Sequence, residues 1–159
     1  MVAETVQRIL ILDLDGTLFD SQNRFNECQK LFINDKRGFW NCFQSERFMD
    51  LDIPKENVID FVRPLINEYT IIIIVSGRSI KQYSKTLEQL NKIGIIPNEI
   101  YLRGEKDFRK DFEFKASIIA QILEKYNANE IIMVDDSDDV INHISQKFQN
   151  IKVVDAKKL

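Results

Sequence analysis

Three apolar runs in the sequence each end in side chains that can bind a metal ion or a phosphate. In chain order these side chains are Asp13 and Asp15, then Ser76, then Asp135 and Asp136, with Lys115 ahead of the last pair. Carboxylates packed closely repel one another unless a cation neutralises them. Oxygen ligands without sulfur or imidazole favour a hard ion such as Mg²⁺. Any one run could end in residues that only solvate a loop, but the three together predict a Mg²⁺ site.

A parallel β-sheet would bring these side chains together. Five runs of β-type apolar residues alternate with helical patterns, which is typical of βαβ units. The runs are residues 9–12, 71–75, 100–102, 131–134 and 151–154. The ligand crevice of an open parallel sheet lies at the carboxyl ends of its strands. We therefore expect Asp13 and Asp15 to face this crevice, Leu14 to point into the core and Gly16 to allow the turn that follows.

Helical patterns of apolar residues lie between these runs. Their apolar positions cover residues 58–65, 80–90, 118–126 and 140–148. Pro64 should kink or shorten the first helix. Ser79 is a good N-cap for the second, and Gly94 provides its C-terminal stop. Lys115 is expected to open the third.

Residues 21–53 do not follow this alternation. They have only a patchy helical period, so we expect an insertion of one or two short helices at the edge of the sheet. The segment contains six aromatic residues: Phe25, Phe32, Phe39, Trp40, Phe43 and Phe48. These rings either pack the insertion or form a platform on which the bases of single-stranded nucleic acid stack. The insertion is too small for a second domain, so residues 1–159 are predicted to form one domain.

Charge and composition exclude several classes of protein. Lys and Arg number 22 and Asp and Glu 25, and the net charge of −3 excludes a general electrostatic grip on nucleic acid, though not a small basic patch. No apolar run approaches the length of about 20 residues that a membrane span needs, and the amino terminus lacks a signal-peptide pattern. Cys28 and Cys42 have no metal-binding spacing, and we expect two reduced thiols in a cytoplasmic protein.

The run DLDGTL at residues 13–18 resembles the first signature of the haloacid dehalogenase (HAD) superfamily, DxDGT. Ser76 after its isoleucine-rich run resembles the second motif, Lys115 the third, and the acidic pair at 135–136 the fourth. The resemblance covers nearly the whole chain. It implies a HAD-like, Rossmannoid three-layer α/β sandwich with a central parallel sheet, and a small helical insertion instead of a full cap. It also implies a phosphatase that acts through an aspartyl-phosphate.

Three further segments resemble the phosphatase half of bacteriophage polynucleotide kinase/3′-phosphatases. They are MDLD at residues 49–52, VSGR at 75–78, and LRGEKDFRKD at 102–111, which Lys115 follows. The kinase P-loop pattern GxxxxGK[ST] is missing from the sequence, so we expect no kinase half.

The resemblance implies a role for each motif residue. Asp13 would be the nucleophile that attacks phosphorus, and Asp15 would protonate the leaving oxygen and later deprotonate the hydrolytic water. Mg²⁺ would bind the Asp13 carboxylate, the Asp15 backbone carbonyl and Asp136. Asp135 would be a further metal ligand or an orienting residue, and Asp139 is a weaker candidate ligand.

Residues that contact the substrate are predicted in two groups. Phosphoryl oxygens would be received by Thr17, Ser76, Gly77 and Lys115. Candidates for contacts with substrate phosphates or sugars are Arg78, Arg103 and Arg109, together with Lys106 and Lys110. The alternative for residues 103–115 is a solvated charged loop, because five cations there face four anions, a net charge of +1.

The sequence leaves the substrate class open. It is either a nucleic-acid terminus or a small phosphomonoester such as a nucleotide or sugar phosphate. The short insertion should leave the site open to bulky substrates, whereas the net negative charge does not help to hold a polyanion. A phospho-accepting receiver domain is a remote alternative, because it has its acidic pair after the first strand and no counterpart of Asp15. We expect neither a membrane nor an obligate protein partner.

Overall fold

The computed structural model describes residues 3–159, which contain seven β-strands and six α-helices. The strands are β1 (Glu4–Leu12), β2 (Phe19–Asp20), β3 (Ile53–Pro54), β4 (Thr70–Ser79), β5 (Glu99–Arg103), β6 (Tyr126–Asp135) and β7 (Ile151–Asp155). The helices are α1 (Gln22–Leu31), α2 (Lys36–Phe43), α3 (Glu56–Val62), α4 (Tyr83–Lys92), α5 (Asp111–Lys125) and α6 (Asp138–Lys147). Five strands form one parallel sheet in the order β5-β4-β1-β6-β7, and each contains one of the five predicted apolar runs.

β1 lies at the centre of the sheet and is covered on both faces. Leu10 and Leu12 belong to a core that includes side chains of α3 and α4. Ile9 and Ile11 belong to a second core that includes side chains of α5 and α6. Successive side chains of a strand point to opposite faces, so an unbroken apolar run is what two covered faces require. The predicted three-layer α/β sandwich is confirmed.

The strand register brings the predicted site residues to one place. Leu12 lies opposite Ile74 of β4 and opposite Val134 of β6. The three strands therefore end at the same edge of the sheet, and the Asp13 backbone N–H donates to the Val134 carbonyl at 3.2 Å. Side chains that follow these three strands meet above this edge.

The helices begin and end within a few residues of the expected positions. Ser79 caps a 3₁₀ turn, Ile80–Gln82, that leads into α4. α3 stops at Val62, and Pro64 lies in the 3₁₀ turn that follows, as predicted. α5 begins at Asp111, so Lys115 lies in its second turn and does not open it. Tyr126 belongs to β6 and not to this helix, because it pairs with Glu4 of β1 in the sheet. In residues 3–159, no helix combines the length and the apolar character that crossing a membrane requires.

The insertion consists of α1, α2 and the 3₁₀ turn Met49–Leu51, and the antiparallel pair β2–β3 lies at its base. Phe25, Phe39, Trp40 and Phe43 pack against one another, with ring centroids 4.9 to 6.1 Å apart. Packing thus accounts for most of the aromatic residues. The insertion lies over the carboxyl ends of the strands and not at the lateral edge expected from the sequence, because Arg24 of α1 reaches Asp15.

Cys28 of α1 and Cys42 of α2 form a disulfide bond. The expectation of two reduced thiols is therefore wrong. The two cysteines are 14 positions apart in the sequence without any pairing signal, and the bond depends on α1 and α2 packing side by side. Both cysteines lie in the small core of the insertion, next to Phe39.

Candidate active site

Asp13 lies at the carboxyl end of β1 with its carboxylate almost fully buried. Its Oδ1 accepts a hydrogen bond from Lys115 Nζ at 3.0 Å, and its Oδ2 accepts one from Thr17 Oγ1 at 2.9 Å. Lys115 Nζ also donates to Asp135 Oδ2 at 2.6 Å. The buried ammonium group therefore holds the two carboxylates side by side.

Asp13, Asp135 and Asp136 form an acidic group in which one carboxylate oxygen from each residue lies within 4.8 Å of the others. Burial, reinforced by the negative charge of Asp135, raises the pKa of Asp13 well above its usual range, although Lys115 opposes this shift. Burial also raises the pKa of Asp135. One ammonium beside three carboxylates leaves negative charge uncompensated, and oxygen donors of this kind suit a hard divalent cation. The donor set fits the metal ion expected from the sequence.

Asp15 lies between two arginines. Its Oδ1 accepts hydrogen bonds from Arg24 Nη2 at 2.5 Å and from Arg78 Nη2 at 2.8 Å. Burial alone would raise the pKa of Asp15, but the charges of Arg78 and Arg24 outweigh it and hold that pKa below its usual value. Asp13 and Asp15 therefore stand in opposite electrostatic settings although only Leu14 separates them.

Asp52 completes the ion-pair network beneath Asp15. Its Oδ1 accepts from Arg24 Nε at 3.1 Å, and its Oδ2 accepts from Arg78 Nη2 at 3.2 Å and from Gln89 Nε2 at 3.0 Å. Arg78 Nη1 also donates to Gln89 Oε1 at 2.7 Å and to Thr86 Oγ1 at 2.9 Å. Both guanidinium groups are thus fixed by several partners, so they hold the Asp15 carboxylate in one orientation.

The sequence matches the family model of the polynucleotide kinase PNKP phosphatase domain over residues 7–157. The chain belongs to this family. It is therefore a phosphatase domain of the HAD type, which acts on phosphorylated substrates, as its motifs implied. No curated protein matches the sequence.

Solved structures share the fold of this phosphatase at low sequence identity. A chain of the Pnkp1/Rnl/Hen1 complex has a TM-score of 0.69 and 20% identity over 94% of this chain and 46% of that one. A hydrolase from Streptococcus pneumoniae TIGR4 has a TM-score of 0.56 and 17% identity over 92% and 90% of the two chains. Phosphoserine phosphatase has a TM-score of 0.55 and 15% identity over 91% and 83%. The phosphatase described here thus spans less than half of the chain that it matches in the complex.

Of the predicted phosphate-binding residues, two line the cleft and two lie behind it. Ser76 and Gly77 follow the apolar run of β4 and line the cleft above Asp13. The Ser76 hydroxyl accepts from the Arg78 backbone N–H at 3.1 Å, which leaves its own proton free to donate. Thr17 and Lys115 do not line the cleft. They lie behind it, and Thr17 Oγ1 stands between Asp13 and Asp136, 3.3 Å from the latter.

Gly16 allows the first motif to approach Asp136 closely. Its φ angle of +85° lies in the left-handed region that favours glycine. A Cβ atom at this position would also overlap the Asp136 carboxylate. Both observations agree with the turn expected at Gly16.

The cleft above the acidic group has a volume of about 570 Å³, within the range typical of small-molecule sites. Its floor contains Asp13, Asp15, Ser76 and Asp136. One wall comes from the insertion and the other from the segment that joins β5 to α5. The wall residues are Trp40, Phe43 and Gln44 on the first side, and Arg103, Asp107, Phe108, Arg109 and Asp111 on the second.

Three predicted substrate-binding arginines have partners within the phosphatase. Arg78 is buried in the network around Asp15. Arg103 donates to the Arg109 carbonyl at 2.7 Å and lies 3.4 Å from Asp111. Arg109 binds both carboxylate oxygens of Asp107, and its guanidinium holds the pKa of Asp107 down to about 2. The loop cations are therefore largely balanced by the aspartates beside them.

Several residues at the site were not predicted from the sequence. Arg24 lies in the insertion and has no motif around it, whereas Asp52 ends the MDLD segment of the resemblance without a role having been assigned to it. Two lysines fix the backbone: Lys55 Nζ donates to the Gly16 carbonyl at 3.0 Å and Lys157 Nζ to the Asp136 carbonyl at 2.6 Å. Asp139, the weaker candidate ligand, is exposed and lies outside both the acidic group and the cleft.

Proposed function

We propose that this phosphatase is a Mg²⁺-dependent phosphomonoester hydrolase that works through an aspartyl-phosphate on Asp13 and removes 3′-phosphates from nucleic-acid ends. The observation that carries the proposal is the contrast between its two motif carboxylates. Asp13 lies in an acidic group beside Lys115, whereas Asp15 lies outside that group and forms ion pairs with Arg24 and Arg78. Two carboxylates in different settings can act as nucleophile and as acid–base group in one site.

Mg²⁺ would be held by the carboxylates of Asp13 and Asp136 and by the backbone carbonyl of Asp15. When bound, the cation shields the negative charge of the phosphoryl group and of its ligands. Asp135 is better suited to an orienting role, because its Oδ2 accepts from Lys115 and its Oδ1 accepts from the Ser137 N–H at 3.0 Å. Because Lys115 also donates to Asp13, Asp135 would orient the ammonium group beside the nucleophile.

The residues of the site would divide the reaction between them. The Asp13 carboxylate attacks phosphorus in line in its ionised form, which the bound cation and Lys115 would favour against the raised pKa of this group. The Ser76 hydroxyl and the Gly77 backbone face the phosphoryl oxygens, and Lys115 supplies a fixed positive charge behind Asp13. Asp15 protonates the leaving oxygen and later takes a proton from the water that hydrolyses the aspartyl-phosphate. The negative charge of a bound phosphate favours protonation of Asp15 and so counteracts the two arginines.

We expect Asp15→Asn to separate these two steps. An aryl phosphate has a good leaving group that needs little protonation, so the first step should continue while hydrolysis of the aspartyl-phosphate slows by about 10²- to 10⁴-fold. Rapid-quench kinetics should then show a burst of one equivalent of phenol, and intact-protein mass spectrometry should show a phosphorylated enzyme. With an alkyl or nucleotide substrate the burst should be lost. A variant that turns over both substrates at the parent rate would contradict the role of Asp15.

The 3′-phosphatase specificity is supported by the family and by the shape of the site. The family model describes the phosphatase domain of a polynucleotide kinase, and a second structural neighbour belongs to a complex named as the Pnkp1/Rnl/Hen1 RNA repair complex. The cleft is bordered by a short insertion and not by a full cap domain. A small-metabolite substrate remains the second candidate, since phosphoserine phosphatase shares the fold.

A substrate screen tests the specificity. We expect kcat/KM in Mg²⁺ to be highest for 3′-phosphorylated oligonucleotides, because a longer substrate can contact the walls of the cleft as well as its floor. The panel should include 5′-phosphorylated oligonucleotides of the same sequence, nucleoside monophosphates and sugar phosphates. A preference for a sugar phosphate or another small metabolite would contradict the nucleic-acid proposal and favour the second candidate.

Substrate contacts by Arg103 and Arg109 belong to the same proposal. Both line the cleft, and a phosphate that displaces Asp107 or Asp111 could bind them. We assign Arg78 instead to the positioning of Asp15, because its guanidinium is buried and fully engaged.

We also propose that residues 1–159 act as one domain in the cytoplasm without an obligate protein partner. The five-stranded sheet and its two helical layers support a single unit. The disulfide between Cys28 and Cys42 counts against the cytoplasm, where such bonds are rare. Alkylation of the two thiols in intact cells, followed by mass spectrometry, tests the compartment.

A further inference from the structure

Two aromatic side chains project at the rim of the catalytic cleft, one from each wall. Trp40 of α2 is 51% exposed although its ring packs on Phe39, and Phe108 in the loop before α5 is 88% exposed. Phe108 packs on no other aromatic ring in the described part of the chain. Single exposed aromatics are common on protein surfaces, but two that border one cleft provide faces on which a planar group can stack.

A second cavity, the outer cavity, adjoins the cleft at this rim. It has a volume of about 360 Å³ and shares Trp40, Gln44 and Phe108 with the catalytic cleft. The two cavities are therefore adjacent, and the two aromatic side chains lie between them. A substrate whose terminal phosphate lies over Asp13 can extend past these rings into the outer cavity.

The charges of the outer cavity differ from those of the cleft. Its lining includes Arg37 and Lys81 with one acid, Glu105. Lys81 lies 3.5 Å from Glu105, whereas Arg37 is exposed and forms no ion pair with any residue in 3–159. The outer cavity thus has a net positive charge, while the cleft floor is acidic. A second phosphate of the substrate is more favourably placed in the outer cavity than in the cleft.

We propose that the outer cavity is a subsite for the penultimate nucleotide of a single-stranded 3′-phosphorylated substrate. The base of that nucleotide stacks on Trp40 and Phe108, and the phosphodiester that joins it to the terminal nucleotide binds Arg37. The inference rests on the proposed 3′-phosphatase function and deepens it, because it makes the dinucleotide the smallest substrate that fills the site. Stacking on an aromatic ring is tolerant of sequence, so this subsite discriminates by length and not by base identity.

A substrate series tests the subsite without any change to the protein. The series comprises a nucleoside 3′-phosphate, a 3′-phosphorylated dinucleotide whose first nucleotide is abasic, the intact dinucleotide and the tetranucleotide. We expect kcat/KM to rise about 2- to 5-fold on addition of the diester, the range of an exposed charge pair. Addition of the base should raise kcat/KM about 5- to 150-fold further, the equivalent of about 1–3 kcal/mol for one stacked base. The tetranucleotide should give little more.

Variants then assign each gain to its residue. Phe108→Ala and Trp40→Ala should lower the ratio of kcat/KM for the intact to the abasic dinucleotide, mainly through KM. Arg37→Gln should lower the ratio for the abasic dinucleotide to the nucleoside 3′-phosphate and reduce the salt dependence of KM. Matched controls are Tyr69→Ala and Arg63→Gln, which alter an exposed aromatic and an exposed arginine ahead of β4, away from the cleft. Both controls should leave every ratio unchanged.

The outcomes separate the subsite from the proposed function. Equal kcat/KM for the nucleoside 3′-phosphate and the intact dinucleotide would overturn the subsite alone. Unchanged ratios in the Phe108, Trp40 and Arg37 variants would also overturn it. Hydrolysis of sugar or aryl phosphates without hydrolysis of any 3′-phosphorylated nucleotide would overturn the proposed function together with the subsite. Phe108 is so exposed that its replacement should not disturb the fold, and the substrate series needs no variant.

Discussion

Asp13→Asn is expected to abolish turnover while the fold remains intact. The amide cannot form the aspartyl-phosphate, so kcat should fall by on the order of 10⁴-fold or more for every substrate, whatever its leaving group. This distinguishes it from Asp15→Asn, for which an aryl phosphate still phosphorylates the enzyme. The measurement is phosphate release together with intact-protein mass spectrometry, in which Asp13→Asn should show no phosphorylated species.

The stability of the Asn variant checks that the loss is chemical. Asparagine has nearly the same size as aspartate, and it removes one of three crowded negative charges in the acidic group. We therefore expect the melting temperature in the absence of metal to be no lower than that of the parent. Asp60→Asn is a matched control, since Asp60 is exposed on α3 and does not line the cleft, and it should keep parent activity. Retention of near-normal rates by Asp13→Asn would show that the nucleophile is another residue.

Removal of divalent metal should have an effect of similar size. The three carboxylates at Asp13, Asp135 and Asp136 face a single ammonium group, so the site lacks positive charge for a phosphate dianion. We expect EDTA to abolish hydrolysis and added Mg²⁺ to restore it. Full activity in a metal-stripped sample would rule out this mechanism.

A binding measurement tests the metal site independently of activity. A ligand that binds only the folded state stabilises it by about 2.7 kcal/mol at 100 times its dissociation constant, so Mg²⁺ should raise the melting temperature of the parent. Asp136→Asn should lose most of this shift because it removes a proposed ligand. Asp139→Asn should keep the shift, since Asp139 is exposed and lies outside the acidic group. The reverse pattern would exchange the roles of the two residues.

The strands and the first motif could be predicted because a parallel strand that is buried on both faces appears in the sequence as an unbroken apolar run. The run at 9–12 is apolar on both faces, and its fully buried side chains divide between two cores. Polar residues that follow such strands must meet at one edge of the sheet. This is why Asp13, Ser76 and Asp135 converge as expected, although more than 60 positions lie between the first two.

Element boundaries were less well predicted where two patterns overlap. The apolar stripe of α5 continues into Tyr126, yet that residue begins β6 because its backbone pairs with Glu4. The patchy helical period of residues 21–53 indicates an insertion but does not show which part of the sheet it covers. The insertion lies over the carboxyl ends of the strands because side chains connect it to the rest of the fold. Arg24 of the insertion binds Asp15, and Gln82 and Gln89 donate to backbone carbonyls of the insertion.

By itself the sequence determined the sheet, the acidic group and the identity of the two motif carboxylates, since strand periodicity and strand ends are local properties. Only the tertiary structure determined which charged side chains surround Asp15. Arg24, Asp52 and Arg78 come together from three distant segments, and nothing in their local sequence selects these partners. The same holds for the bond between Cys28 and Cys42 and for the presence of both Trp40 and Phe108 in the lining of the cleft. Charge pairing, disulfide formation and the lining of a cleft depend on distances in space, which packing fixes and periodicity does not encode.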